Sequence, residues 1–235
     1  CWVELPLSGG LIMRGFLKRH WIDESTLGNH ALKRLGITAE PGINEANAVG
    51  WCQQAGVPTV EVIAAGQRRR EATGRIESFF MSQAIEGADE ADADCRKRFG
   101  SDAPLSCEAV RLRRTIMHSI ANVARRFHRA GLVHRDFYWC HFLVRVSNAG
   151  EVSTHLIDLQ RVMRCPRRSM RWLLKDLGQF RFAAPIESLS RQDINHFYSC
   201  YFGHEDGPKT LTLVHRLCCG AIWVRAQLYQ WKDTL

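Results

Sequence analysis

The sequence predicts an α+β fold in two parts, a small β-rich N-terminal lobe and a larger helical C-terminal lobe. Three observations carry this. Runs of β-branched and aromatic residues mark the first third, an acidic, low-hydrophobicity stretch from Glu86 to Asp94 interrupts the chain, and helical periodicity prevails beyond it. The acidic stretch reads as a solvated linker or loop, so the lobes are expected at about 1–84 and 85–235. A chain of 235 residues suffices for one large domain or two small lobes.

Leu11 to His20 reads as a strand carrying Lys18, followed by a polar stretch with Gly36 and Pro41. A helix is expected from Asn44 to Ala55, with Asn44 as N-cap and Gly56 as its stop. Strands follow at Thr59–Ala64 and Ile76–Ser82. From Ser106 to Arg129 the residues Leu112, Ile116, Ile120, Val123 and Phe127 recur at helical spacing, and Gly131 ends the run. Phe142–Val146 and Ser153–Ile157 form a predicted hairpin around Asn148, Ala149 and Gly150. Helices are expected at Trp172–Phe182, Arg191–Phe202 and Thr210–Trp231, the last with Leu213, Leu217, Ile222 and Leu228 as core.

Composition narrows the partners. The formal net charge of +8 favours an acidic one: nucleic acid, an anionic membrane surface, or a phosphorylated or carboxylated substrate. No stretch reaches the ~18 apolar residues of a membrane span. The nine cysteines are scattered without a Cys-x-x-Cys pair, which argues against a structural zinc site and against a secreted disulfide framework. Reduced thiols in the cytosol are the expectation.

An antiparallel hairpin brings the start of its first strand beside the end of its second. His141 precedes the first strand and Asp158 follows the second, so both belong at the open end. Asp136, after His134-Arg135, lies on the loop that feeds the same end. Two carboxylates and an imidazole near one point suit phosphoryl transfer, in which one carboxylate orients a hydroxyl and another anchors Mg²⁺. The competing reading is that both aspartates are turn carboxylates capping backbone amides.

The run from His134 to Leu143, followed by Ile157-Asp158-Leu159-Gln160-Arg161, resembles the lipopolysaccharide kinase (Kdo/WaaP) family, whose members have a protein-kinase-like fold. Phe16-Leu17-Lys18-Arg19-His20 resembles its lysine strand and Asn44–Ala48 its first helix; Lys175–Gly178 and Tyr201-Phe202-Gly203 resemble further segments, in the expected order. The resemblance implies a kinase-like bilobal α+β fold and an ATP- and Mg²⁺-dependent kinase for a heptose or Kdo hydroxyl of the lipopolysaccharide inner core. The acceptor would be an anionic glycolipid, met in the cytoplasm at the inner face of the inner membrane. Nucleic acid is not an expected partner, since only charge supports it.

Carried onto this sequence, the resemblance implies that Asp136 activates the acceptor hydroxyl, Asp158 binds Mg²⁺, Lys18 contacts the α- and β-phosphates and Glu45 pairs with Lys18. Leu143 would lie under the adenine, with Met81 to Ala84 along its edge, although Leu143 could equally be plain hairpin core. His141 stands where many protein kinases have a metal-binding Asn; an imidazole is an unusual Mg²⁺ ligand, so it could instead hydrogen-bond Asp136 or a phosphate. His134 and Arg135 would hold the loop in shape through local carbonyls or a carboxylate such as Asp176.

Departures from protein kinases leave other readings open. Leu159-Gln160 replaces Phe-Gly after Asp158, and the basic run Arg161, Arg164, Arg167, Arg168 and Arg171 stands where an acceptor would dock. No glycine-rich phosphate loop precedes Lys18; Ser8-Gly9-Gly10 reads as a strand-connecting turn, so the glycine-rich strands are expected outside this chain, which starts at Cys1. A pseudokinase or binding module of the same fold is the alternative, as is a kinase for a protein or another small molecule. Trp223, Leu228 and Trp231 could touch a membrane or pack in the core.

Overall fold

Lys18 sits in the middle of an antiparallel sheet that alternation of side chains gives two unlike faces. A computed structural model of the chain describes residues 1–22, 41–70, 76–100, 104–165, 169–203 and 213–233. They divide into two units: Cys1–Gln54, Thr59–Glu86 and Asp158–Val162 in the first, and Ala55–Pro58, Gly87–Ile157 and Met163–Leu235 in the second.

The first unit is built on strands β1 (Trp2–Pro6), β2 (Ile12–Ile22), β3 (Val62–Arg69) and β4 (Ile76–Gln83), in the spatial order β1-β2-β4-β3. β1, whose range the sequence reading did not give, is the strand that the strand-connecting turn at Ser8-Gly9-Gly10 requires. The Ser8-Gly9-Gly10 turn joins it to β2, with Gly9 and Gly10 both at positive φ, a backbone that glycine adopts without steric cost. Pairing of Lys18 with Phe80 and of Arg19 with Phe79 fixes the register.

Helix α1 (Pro41–Gln54) packs on the Lys18 side of the sheet, burying Glu45, Ala48, Val49 and Cys52 at helical spacing. It begins at Pro41, so Asn44 lies inside the helix rather than capping it; proline suits a first turn because its missing N–H has no partner there. Gly42 allows the contact with β4. A Cβ there would stand 2.4 Å from the Phe79 carbonyl oxygen, and the Gly42 N–H donates to Ser78 Oγ at 3.0 Å.

The reading of Glu86–Asp94 as a solvated linker or loop holds for residues 86–88 and needs correction from Asp89 on. Asp89–Glu90 (β5) pairs with the later strand Phe142–Val146 (β7), and helix α2 (Ala91–Phe99) follows. Ala91, Cys95 and Phe99 are buried at four-residue spacing. Glu86, Asp89 and Glu90 are exposed, but Asp94 is buried and bonds Arg98 at 2.6 Å, while Asp92 bonds Arg96 at 2.8 Å, both one turn on.

Helix α3 (Cys107–Arg129) opens on Ser106, whose Oγ accepts the Ala109 N–H at 3.1 Å. Ile116, Ile120, Val123 and Phe127 are buried as the periodicity predicts. After β6 (Leu132–Val133), β7 pairs with β8 (Val152–Leu156) as the expected hairpin, turned at Gly150 with φ 81°. Beyond β9 (Met163–Arg164), helix α4 (Met170–Phe182) packs on α6 (Leu213–Asp233), and α5 (Arg191–Phe202) packs on α3. A stack of rings, Trp139–Phe180 at 4.6 Å and Phe180–Phe197 at 4.5 Å, runs through this core.

The core positions expected on the last helix need correction. Ile222 is fully buried, but Leu217 is 66% and Leu228 is 48% exposed, because Ile222 and Ala226 define the packed side. Trp223 is also exposed. The side chains of Leu213 and Trp231, and the whole of Arg167 and Arg168, lie outside the described residues.

Candidate active site

In the first unit, Lys18 reaches two carboxylates far apart in sequence. Its Nζ donates to Glu45 Oε1 at 2.8 Å and to Asp158 Oδ1 at 2.6 Å. Strand alternation turns Lys18 toward α1, and Glu45 meets it from the buried side of that helix. Burial pulls the lysine pKa down, but the charges and hydrogen bonds of Glu45 and Asp158 outweigh it and hold the ammonium above its usual range. Burial raises the Glu45 carboxyl in turn.

Asp158 has left-handed backbone, φ 58°, which costs a non-glycine residue of the order of 1–3 kcal/mol. The short helical turn Leu159–Arg161 that follows packs against α1, with Leu159 buried. That packing is what holds the Asp158 carboxylate on Lys18.

Parity separates the remaining β4 residues. Phe80 and Ser82 share the Lys18 face and are buried, while Met81 alternates to the opposite face, across from Leu17. The Met81 side chain therefore does not join Lys18. Ala84 lies just past β4, its N–H bonded to the Arg14 carbonyl at 2.9 Å.

In the second unit, the loop from His134 to His141 is fastened at both layers. Phe137, Trp139 and Phe142 are completely buried, and Trp139 Nε1 donates to the Phe180 carbonyl at 2.9 Å. Next to these anchors, Asp136 and His141 remain partly exposed. The polar fastening comes from α4. Asp176, with no exposed surface, accepts the backbone N–H of His134 at 2.7 Å and of Arg135 at 2.9 Å.

Burial alone would raise the Asp176 carboxyl; the hydrogen bond and charge of His128, with the His134 N–H, bring it below the usual range instead. Arg135, at φ 74°, is thereby held in a left-handed conformation. Lys175 Nζ donates to the Arg135 carbonyl, and Gln179 accepts the Phe137 N–H at 3.3 Å while donating to Tyr138 Oη at 3.0 Å. His134 and Arg135 thus hold the loop through their backbone amides. His134 adds a side-chain bond, its Nε2 donating to the Ile157 carbonyl at 3.0 Å, as expected of a local carbonyl.

His141 Nδ1 lies 2.7 Å from the Asp136 carbonyl oxygen. A carbonyl only accepts, so Nδ1 carries the proton and Nε2 the lone pair of the neutral ring. His141 therefore bonds the Asp136 backbone. Its own carbonyl accepts the Ile157 N–H at 2.9 Å, closing the open end of the hairpin. Leu143, two residues on, pairs with His155 across β8.

Of the basic run, Arg161, Arg164 and Arg171 are exposed, and the Arg171 guanidinium lies 5.7 Å from the Trp172 ring centre.

The description of the lipopolysaccharide kinase (Kdo/WaaP) family matches residues 29–201. The chain belongs to this family. It is 30% identical over 161 residues to "Lipopolysaccharide core heptose(I) kinase WaaP" of Pseudomonas aeruginosa, covering 67% of this chain and 58% of that protein. The protein of the same name from Escherichia coli K12 is 28% identical over 162 residues, covering 68% and 59%. The chain thus spans less than two thirds of the curated relatives it matches. Among solved structures, "WaaP in complex with acyl carrier protein" superposes with a TM-score of 0.66 at 24% identity, covering 96% of this chain and 83% of that one. The kinase-like α+β fold expected from the resemblance is the fold observed.

Within this family member, sequence reasoning undervalued α4. Lys175, Asp176 and Gln179 lie on one helical face, all partly or wholly buried, in a helix that otherwise buries apolar residues. Three polar residues on a buried face are a legible sign of a polar task.

Proposed function

We propose that this chain transfers the γ-phosphoryl group of ATP to a sugar hydroxyl of the lipopolysaccharide inner core, a heptose in preference to Kdo. Membership of the family supports the reaction class, and the names of the curated relatives support heptose. The observation that carries the reading is the Lys18–Glu45–Asp158 cluster, which unites a cation able to grip phosphates with a carboxylate able to hold a metal.

Mg²⁺ takes hard oxygen ligands and is commonly held by one or two carboxylates plus substrate phosphates. The carboxylate of Asp158 fits that requirement. Among the described residues no group of three or more His, Cys, Asp or Glu could hold a metal by itself, so nucleotide oxygens would complete the shell. Bound there, the metal would neutralise charge on the phosphates.

Asp136 orients the acceptor hydroxyl and takes up its proton; the buried rings on either side of it and the Asp176 bonds keep its carboxylate in place. Lys18, fixed by Glu45, contacts the α- and β-phosphates. His141 orients the Asp136 backbone, a better use of an imidazole than direct Mg²⁺ ligation. Leu143 lies under the adenine, and the backbone of Met81 to Ala84 follows its edge. The exposed arginines Arg161, Arg164 and Arg171 meet acceptor phosphates or carboxylates. Among the described residues no helix is long and apolar enough to cross a membrane; the glycolipid is met by peripheral contact, at the cytoplasmic face of the inner membrane.

The test is phosphate transfer from labelled ATP to dephosphorylated core oligosaccharide. Asp136→Ala should lower turnover by about 10²-fold or more while nucleotide binding persists. Asp158→Ala should abolish the Mg²⁺-dependent part of nucleotide affinity. Undiminished turnover in Asp136→Ala would end the assignment. ATP binding without turnover in the parent chain would favour a pseudokinase.

A further inference from the structure

Two polar side chains are buried behind the Asp136 loop, His128 near the end of α3 and Tyr201 on α5. His128 bears on the loop from both flanks of Asp136. On the upstream flank its Nε2 donates to Asp176 Oδ2 at 3.3 Å, and that oxygen also accepts the His134 N–H at 2.7 Å. Asp176 Oδ1 accepts the Arg135 N–H at 2.9 Å, so the two amides immediately before Asp136 hang on one carboxylate. On the downstream flank the His128 ring lies 5.0 Å, centre to centre, from the ring of Phe137, the residue immediately after Asp136.

Packing alone does not account for a polar pair here. An apolar side chain would fill the same space without the cost of burying an imidazole, whose two nitrogens each need a partner. Asp176 takes one nitrogen, and Tyr201 Oη meets the other, Nδ1, at 2.9 Å. The two rings also stand edge to face, 5.7 Å apart and inclined at 78°, so Tyr201 fixes the plane of His128 as well as its second nitrogen. Tyr201 is itself seated, its ring stacked on Phe197 at 6.0 Å. At 3.3 Å the bond to Asp176 adds little stability. What it adds is direction: a third donor on two carboxylate oxygens opposes rotation of Asp176 away from the His134 and Arg135 amides.

We infer that His128 and Tyr201 are positioning residues for phosphoryl transfer, a buried relay that aligns Asp176 with the His134 and Arg135 amides and thereby sets the carboxylate of Asp136. The relay runs from α5 through α3 to α4 and gives Tyr201, in the Tyr201-Phe202-Gly203 segment, a task in the site. A misplacement of about 1 Å can cost about 10²-fold in rate, so a small swing of this loop is enough to register. The effect on catalysis rests on the role proposed for Asp136; the hold on the loop does not.

Amide hydrogen exchange, with steady-state kinetics on MgATP and dephosphorylated core oligosaccharide, tests the two parts separately. In His128→Phe, which keeps a ring and loses both polar partners, exchange at the His134 and Arg135 amides should quicken about threefold or more. Turnover per folded molecule should fall about tenfold or more, with KM for ATP within about twofold of the parent. Tyr201→Phe, which removes one hydroxyl, should move both readouts the same way by a smaller factor. His128→Gln, which keeps a donor for Asp176, should restore most of both, whereas a side chain that only fills the core would be better replaced by phenylalanine. The inference is overturned if exchange at these amides is unchanged in His128→Phe and Tyr201→Phe, if His128→Gln is as impaired as His128→Phe, or if the kinetic loss lies in KM rather than in kcat. Should His128→Phe fail to fold, Tyr201→Phe decides, and unchanged exchange and turnover there overturn the inference. A parent chain without turnover would reject the kinase reading, and exchange would still decide whether the pair holds the loop.

Discussion

Replacing Asp176 with alanine isolates the fastening of the Asp136 loop, because this side chain touches no solvent and serves three donors. It accepts two backbone N–H groups at 2.7 and 2.9 Å and the His128 imidazole at 3.3 Å. Hydrogen bonds to a charged group contribute about 1.5–3 kcal/mol each. The two short ones together are worth about 3–6 kcal/mol, and the third is too long to add much. The variant also releases Arg135 from its left-handed backbone, which returns about 1 kcal/mol, the low end of what such a conformation costs, if the loop relaxes. The expected net loss is therefore about 2–5 kcal/mol, out of a typical total of 5–15 kcal/mol.

Urea unfolding, followed by far-UV circular dichroism and by the fluorescence of buried Trp139, measures it. With a slope of about 2 kcal/mol per molar, the midpoint should fall by about 1–2.5 M. The pH dependence supplies a second signature. The folded pKa of Asp176 lies below its ordinary value of 3.8, so its contribution is complete above that value and is lost as pH falls through the folded pKa. The gap between parent and variant should hold at neutral pH and close in acid. A loss under about 1 kcal/mol at pH 7, or a gap that does not narrow in acid, would refute the assignment of Asp176 as the loop's anchor.

Lys18 should leave the opposite trace: its folded pKa is raised, so its stabilisation is full below 10.5 and disappears as pH rises through the folded value. Thermal melts from pH 9 to about 12 should show an alkaline loss in the parent that Lys18→Met lacks. Gly42→Ala should destabilise the first unit by about 1–3 kcal/mol, since the Phe79 backbone must move to admit a methyl group; an unchanged melting temperature would contradict the packing of α1. Burial lifts the thiols of Cys52 and Cys95 to about 12, so iodoacetamide at pH 8 should label exposed Cys1 and Cys107 well before them, as read by peptide mass mapping.

How far each feature could be read depended on the range of the interaction behind it. Helix α3 was legible because its apolar spacing is a local pattern over many turns, and the β7–β8 hairpin because strand, turn and strand are contiguous. Helix α2 was not: it is short, and its charges mask the Ala91–Cys95–Phe99 stripe, while the energy that holds it comes from burying that stripe and pairing Asp94 with Arg98. The exposed Leu217 and Leu228 show the converse, since periodicity identifies an apolar helix face without saying whether another element covers it.

For Asp136 and Asp158 the sequence alone determined the residue types, their order and their place beside a hairpin, because loops and hairpins are written locally. Tertiary structure decided the rest. The union of Lys18 with Glu45 and Asp158 joins residues 27 and 140 positions apart, and only the packing of α1 and the turn after Asp158 makes it possible. The same holds for Asp176, which shapes the Asp136 loop from a helix 41 and 42 residues downstream. A buried charge must find its donors wherever the fold brings them, and no local pattern records where that will be.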